Sequence, residues 1–345
     1  MEKVFCLDLT AAELEKWCRE NSYPAFRAKQ IFKWLSSGVI DLSEMTNLPK
    51  DIKAKLDEDF IFSGISIFDR FVSKIDGTVK YVFKLYDGNI IETVVMRYKT
   101  GLSVCISSQA GCKMGCAFCA SAKAGFGRSL TAGELLSQVL LSQKDMGEEI
   151  KHVVIMGIGE PFDNYDNLIK FLKLINDSEG KNLGARHITV STCGLIPKIK
   201  EFADLKLQVN LAISLHAPSD ELRRTMMPIA NRYSMKELMD AVDYYLAKTN
   251  RRITFEYSLF KGINDSDECA RALAGLLKGK LCHVNLIAAN EFEGSDYHRP
   301  SPKSVNAFKD KLISLGINAT LRREMGTDIM AACGQLRRGL EGEAK

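Results

Sequence analysis

The sequence predicts an α/β protein: a partial barrel of about six βα units, preceded by a helical segment and a β-hairpin connection. Three observations carry this. Apolar, β-branched runs alternate with helical patterns between residues 98 and 330. Residues 63–97 follow a strand period broken by two Asp-Gly turns. Residues 1–62 repeat apolar positions at helical spacing. A tail, residues 331–345, follows the predicted core.

The N-terminal segment reads as helices. Thr10 and Glu13 form a capping box ahead of "LEKWCREN". Residues 24–38 run from a proline suited to a helix start to a glycine suited to its end. Leu48, Ile52, Leu56 and Phe60 share one helical face. Trp17 and Trp34 are expected to anchor this small domain. Asp76-Gly77 and Asp87-Gly88 then punctuate a meander of β-branched and aromatic residues. Strands are predicted at 103–107, 152–156, 187–191, 209–214, 252–258, 283–288 and 318–322. A helix over 131–146 carries another capping box, Thr131 with Glu134.

At 345 residues, 46% apolar and 26% charged, the composition is that of an ordinary soluble globular protein. It has no apolar run of the ~18 residues a membrane helix needs. The first residues carry acids and lack an apolar signal core, so a cytoplasmic protein with no membrane partner is expected. Ten cysteines are then thiols or ligands rather than a disulfide framework. A net charge of +4 is compatible with nucleic acid without arguing for it.

In parallel βα folds the site lies at the C-terminal strand ends. There the sequence places "GIGEP" (157–161), "STCG" (191–194), "SLHAP" (214–218) and "AANEF" (288–292). After the first strand come Cys112, Cys116 and Cys119 at spacing C-x3-C-x2-C. A structural zinc ion usually takes four protein ligands, and no cysteine or histidine lies between residues 120 and 151. A four-iron cluster takes one thiolate per iron, so three cysteines leave one iron for an exchangeable ligand, for which an amino-acid head group is suitable. Zinc with a fold-supplied fourth ligand remains the alternative.

The cysteine triplet, with Phe118 before its last member, resembles that of the radical S-adenosylmethionine (SAM) enzymes. "MGIGEPFDNYDN", "ARHITVSTCG", "NLAISLHAP" and "GTDIMAACGQLR" extend the resemblance over about residues 90–340 to the RlmN/Cfr family of radical SAM 23S rRNA adenine methyltransferases, the RlmN branch fitting better. The resemblance implies a radical SAM barrel, a 4Fe-4S cluster on Cys112, Cys116 and Cys119, and two SAM molecules per turnover. It implies methylation of C2 of an adenosine in 23S rRNA and in tRNA. Cys333 would be the methyl carrier, forming a covalent protein–RNA intermediate. Cys105 would resolve that adduct through a transient disulfide with Cys333, and Glu92 would accept a proton. SAM would be met by Gly159, Glu160, Ser191, Ser214, Leu215, His216 and Asn290. Further expectations are an external electron donor such as flavodoxin or ferredoxin, and a monomer.

Taken singly, several of these residues have blander readings. Glu92 reads as an exposed strand-edge carboxylate, His216 as a satisfied core histidine and Cys333 as a small buried hydrophobe. Lys113, Lys123, Arg128, Arg223, Arg224, Arg322, Arg323, Arg337 and Arg338 recur near the predicted mouth and tail, where phosphate binding would explain them. Two positions depart from the family pattern: Met330 stands in place of Asp, and Glu291 in place of Pro. The rival functions are methylation at C8, a metal-stabilised RNA-binding module without catalysis, and an activase for a glycyl radical.

Overall fold

The structure is a computed structural model that describes residues 3–123, 125–291, 295–331 and 334–336. It opens with β1 (Val4–Phe5), α1 (Ala11–Glu20), α2 (Phe26–Ser36), α3 (Lys50–Asp59) and β2 (Phe60–Ile61), with β1 and β2 paired in parallel. The Thr10–Glu13 capping box is formed. Trp17 is buried and its indole donates to Asp59 at 2.7 Å, whereas Trp34 is half-buried and donates to Asn47 at 2.7 Å. Trp17 is thus a core anchor and Trp34 seals an edge.

The predicted meander is β3 (Ile65–Val72), β4 (Val79–Leu85) and β5 (Ile90–Tyr98), all antiparallel. β5 pairs antiparallel with β6 (Gly101–Ile106), the first barrel strand, so the meander extends the main sheet. β7 (Gln109–Gly111), α4 (Ala120–Lys123) and β8 (Phe126–Ser129) follow, with β7 and β8 forming a short ribbon around the cysteine loop. Sequence reading left that ribbon as loop. Gly111, at φ +86°, is required in it: a Cβ there would sit 1.9 Å from the Gly125 carbonyl oxygen.

The remaining elements alternate: α5 (Ala132–Met146), β9 (Ile150–Ile155), α6 (Tyr165–Asn176), β10 (Ile188–Thr192), α7 (Ile196–Asp204), β11 (Asn210–Ser214), α8 (Asp220–Met226), α9 (Met235–Thr249), β12 (Ile253–Leu259), α10 (Asp267–Leu277), β13 (Cys282–Ala288), α11 (Pro302–Ser314) and β14 (Ala319–Leu321). The ten-stranded sheet runs β14-β13-β12-β11-β10-β9-β6-β5-β4-β3. From β6 to β14 every pairing is parallel, which brings the strand ends to one mouth.

The N-terminal helices share a continuous apolar core with the barrel. The Gly133 amide, in the first turn of α5, donates to buried Asp8 at 2.6 Å. A side chain at Gly133 would meet the Leu7–Asp8 backbone at 2.7 Å, so glycine here permits close docking.

Candidate active site

At the mouth a cavity opens to solvent. Its wall holds Cys112, Cys116 and Cys119 from the ribbon loop, and Gly159 and Glu160 from the β9–α6 turn. Ser191 on β10, Ser214 on β11, and His216 and Asn290 after β11 and β13 complete the predicted set. Leu215 is the exception, because its side chain is fully buried in the main core.

The turn after β9 is built from backbone constraints. Gly159 has φ +105°, and a Cβ there would lie 2.6 Å from that of Gln109. The Gln109 carbonyl oxygen accepts from the Glu160 amide at 3.0 Å, while its amide group donates to Asp163 at 2.8 Å. The buried Glu160 carboxylate accepts from the amides of Cys193 at 2.7 Å and Phe162 at 3.0 Å. Burial raises its pKa and these amides oppose the rise. Glu160 therefore presents a fixed acceptor to the cavity.

His216 combines the bland and the functional readings. It is buried at φ +57°, and its Nδ1 accepts from the Ser258 amide at 2.9 Å. That bond puts the proton of the neutral ring on Nε2. Burial, and secondarily Arg223, lowers its pKa from 6.5 to about 3, so the ring is a neutral donor at physiological pH. Ser191 and Ser214 bring their hydroxyls within 3.5 Å of each other on adjacent strands.

The three cysteines are partly exposed free thiols. Burial, then neighbouring thiols and acids, raises the pKa of Cys112 to about 11 and that of Cys116 further. Binding a metal centre must displace their protons. Among the described residues no three His, Cys, Asp or Glu side chains are grouped to hold a single metal ion. A tetrahedral zinc ion with bonds of about 2.3 Å would need its sulfurs roughly 4 Å apart. A four-iron cluster binds each thiolate through a different iron and accepts a wider spread. Three thiols on one loop facing a cavity of polar acceptors and donors fit a cluster with one open iron, and do not fit structural zinc.

A second cavity adjoins the first. Val94, Met96, Cys105, Met325, Ala331 and Leu336 line it, and Met156, Ile287, Asn290 and Arg322 line both cavities. Cys105 is buried opposite Val94 in the β5–β6 register. Glu92 lies on the same face of β5 as Val94. It is neither exposed nor at an edge: it is 8% exposed and sits 3.2 Å from the buried Lys80 ammonium. The edge-carboxylate reading fails because β5 is flanked by β4 and β6. Glu92 is not among the residues lining either cavity.

Cys333 lies outside the described residues, as do Arg337 and Arg338. The described tail is tied to the cysteine loop: Ala120 donates its amide to Gly334 at 2.9 Å, and the Ser121 hydroxyl donates to Leu336 at 2.7 Å. Gly334 lines the first cavity and Ala331 the second. Met330 points outward at φ +48°, 55% exposed. The carbonyl of Glu291 accepts from the Gln335 side chain at 2.9 Å, a second tie to the tail.

Two of the candidate phosphate ligands are committed elsewhere. Arg223 is fully buried, and Arg128 forks onto Glu134 and pairs with Asp87. Sequence reading also missed Glu256, whose buried carboxylate lines the first cavity and accepts from Asn285 at 2.9 Å. Its signal was a charged residue inside the apolar strand "RITFEYS".

Comparison with known proteins agrees with this geometry. The Radical SAM superfamily matches residues 106–273, and the ribosomal RNA large subunit methyltransferase N-terminal domain matches residues 6–61. The chain is 55% identical, over 96% of its length and 97% of the relative's, to a probable dual-specificity RNA methyltransferase RlmN from Clostridium novyi (strain NT). It is 54% identical to another so described from Alkaliphilus oremlandii (strain OhILAs), over 98% of each chain. A crystal structure of a radical SAM methyltransferase from Sphaerobacter thermophilus superposes with a TM-score of 0.93 at 44% identity, covering 96% of this chain and 99% of that one. With this likeness running almost end to end, the chain belongs to the RlmN family of radical SAM RNA methyltransferases.

Proposed function

We propose that this protein methylates C2 of an adenosine in 23S rRNA and in tRNA, with Cys333 as methyl carrier and Cys105 as resolving thiol. The observation that carries the reading is the pair of adjoining cavities, one with the cysteine loop and Gly334, the other with Cys105 and Ala331. C2 of adenine lies between two ring nitrogens, so it is electron-poor and its hydrogen is barely acidic. Polar methyl transfer to it lacks a nucleophile. The cluster and SAM, when bound, supply the one-electron chemistry that turns a thioether methyl into a carbon radical able to add there.

The chain's own residues do the rest. Cys112, Cys116 and Cys119 hold the cluster. Glu160, Ser191, Ser214, His216 and Asn290 bind the SAM amino, carboxylate and ribose groups, with Glu160 accepting and the His216 Nε2–H donating. Gly159 lets the backbone approach. Leu215 serves through its main chain, since its side chain is in the core. Cys333 bonds to adenine through its methyl carbon, which divides one hard step into easier ones. Glu92, held by Lys80, takes the proton lost from C2. The Cys105 thiolate attacks the Cys333 sulfur to form the disulfide; the sulfur–methylene bond breaks with its electron pair going to the base-bound carbon, which takes up a proton to become the methyl group. The disulfide left behind is reduced before the next turnover.

To reach a ring carbon the enzyme takes the adenosine unstacked. An electron donor of the flavodoxin or ferredoxin class, a monomeric state and a cytoplasmic location complete the proposal. Among the described residues no helix is long and apolar enough to cross a membrane. The test is nucleoside mass spectrometry of 23S rRNA and tRNA from a host lacking this activity, with and without the gene. Gene-dependent 2-methyladenosine in both pools is expected. 8-Methyladenosine would assign the chemistry to C8, and no product from cluster-loaded protein would overturn the proposal.

A further inference from the structure

The largest fully buried side chain among the described residues is a cation, Arg223, on α8. Its Nε donates to the Leu215 carbonyl at 3.2 Å, and one Nη donates to the carbonyls of Cys193 at 2.6 Å and Ser214 at 3.2 Å. These oxygens lie at the ends of β10 and β11, beside the Ser191 and Ser214 hydroxyls. No ion pair among the described residues includes Arg223; Asp220 on the same helix lies 3.9 Å from Arg224 and attracts the Arg223 guanidinium less than the Cys193 and Cys116 thiols do. Carbonyl dipoles satisfy the fork's hydrogen bonds but not its charge, and a buried charge without a counter-charge is strongly disfavoured.

The other end of α8 touches the cysteine loop. The Ala117 amide, one residue past Cys116, donates to the Met226 carbonyl at 2.9 Å. Met226, Met227 and Cys193 form one apolar cluster against which Cys116 and Phe118 pack. The guanidinium interacts electrostatically with the Cys116 and Cys193 thiols. Gly194 leaves it room, since a Cβ there would come to 3.4 Å from Nη2.

We propose that Arg223 is a positioning residue that clamps the strand ends forming the SAM site onto the helix supporting the cluster loop, and that its charge is balanced by the anionic thiolate-bound cluster. This rests on the reading that Cys112, Cys116 and Cys119 hold that cluster. An electron added to the cluster increases its negative charge, so a fixed buried cation makes reduction easier. A planar fork spans three carbonyls on two strands, which an ammonium cannot.

The experiment compares anaerobically purified wild type, Arg223→Lys and Arg223→Gln. Iron and sulfide content, the cluster midpoint potential from a dithionite titration followed by electron paramagnetic resonance, and SAM affinity by equilibrium dialysis are measured. All three proteins should carry the cluster. Arg223→Gln should shift the potential to more negative values, whereas Arg223→Lys should keep it near wild type. Both should bind SAM about tenfold more weakly, from the lost charge-assisted hydrogen bonds. A wild-type potential in folded Arg223→Gln overturns the proposal. If that variant does not fold, Arg223→Lys decides: wild-type SAM affinity or a displaced potential overturns it. Absence of iron from wild type would indict the cluster reading instead.

Discussion

The two cavities at the mouth of the barrel share a wall but are built differently. The first carries the three thiols, Glu160, two serine hydroxyls and His216 at successive strand ends, so these groups arrive in the order of the chain. The second is lined largely by apolar side chains and assembled from distant parts: β5 of the antiparallel extension, β6, β13 and the residue after β9 of the barrel, and the chain after β14. One suits a charged cosubstrate with an amino-acid head. The other shields a thiol from water. The division fits a reaction in which activation and resolution must not interfere, and each cavity can be disabled separately.

The largest expected effect separates the cavities outright. Replacing Cys112, Cys116 and Cys119 with Ala should remove essentially all iron and sulfide after anaerobic reconstitution. Circular dichroism should stay close to wild type, because the thiols are partly exposed and lie outside the main core. Iron bound at wild-type stoichiometry would refute the assignment.

The next effect distinguishes Cys105 from Cys333. Cys333→Ala should give no covalent RNA adduct, since it removes the carbon donor. Cys105→Ala should accumulate one, because the donor still attacks but is not released. Denaturing electrophoresis of protein expressed in cells, with RNA detection, reads both. Adding Cys333→Ala to Cys105→Ala should abolish the adduct. Purely structural roles would leave both single variants without an adduct.

The same contrast explains what the sequence made legible. Cysteine spacing and the strand-end turns are local, and a parallel sheet brings such turns to one mouth whatever the details of packing. The cysteines and turn residues of the first cavity's wall were therefore readable, though strand residues such as Glu256 were not. Leu215 shows the limit, because neighbours in one turn point to opposite sides. Taken singly, Glu92 reads as an exposed edge carboxylate, and that reading fails because its burial depends on β5 pairing with β6, a long-range fact of the sheet. Arg223 reads as a candidate phosphate ligand because nothing near it in sequence announces three carbonyl partners at the ends of β10 and β11. The cap signals of α1 and α5 are short-range, and both boxes are formed.

A smaller effect tests the backbone of the first cavity alone. Gly159→Ala must hold a side chain at φ +105° and push against Gln109 at 2.6 Å. The strain should cost about 1–3 kcal/mol. Gln109 also holds the Glu160 amide, so SAM affinity should fall with stability while the Cys105 cavity is untouched. Urea denaturation and equilibrium dialysis check the two losses. Wild-type values for both would show that the turn is not constrained as described.

The smallest effect concerns one proton on His216. Asn is the informative replacement: it tolerates φ near +57° better than most residues, and its side-chain oxygen can accept from the Ser258 amide as Nδ1 does. What Asn lacks is the Nε2–H donor facing the cavity. His216→Asn should therefore stay folded and lose about 1 kcal/mol of SAM affinity, roughly fivefold. It should also lose a pH dependence. In wild type the unfolded ring titrates near 6.5 and the folded ring near 3, so below pH 6.5 the unfolded state binds the extra proton. Stability from this group is complete above pH 6.5 and falls as pH drops toward 3. Between pH 6.5 and 5 wild type should lose about 1–2 kcal/mol more than His216→Asn does. Urea denaturation of both proteins at the two pH values measures the difference. Equal losses would mean that the imidazole is not held neutral by its burial between the strand ends.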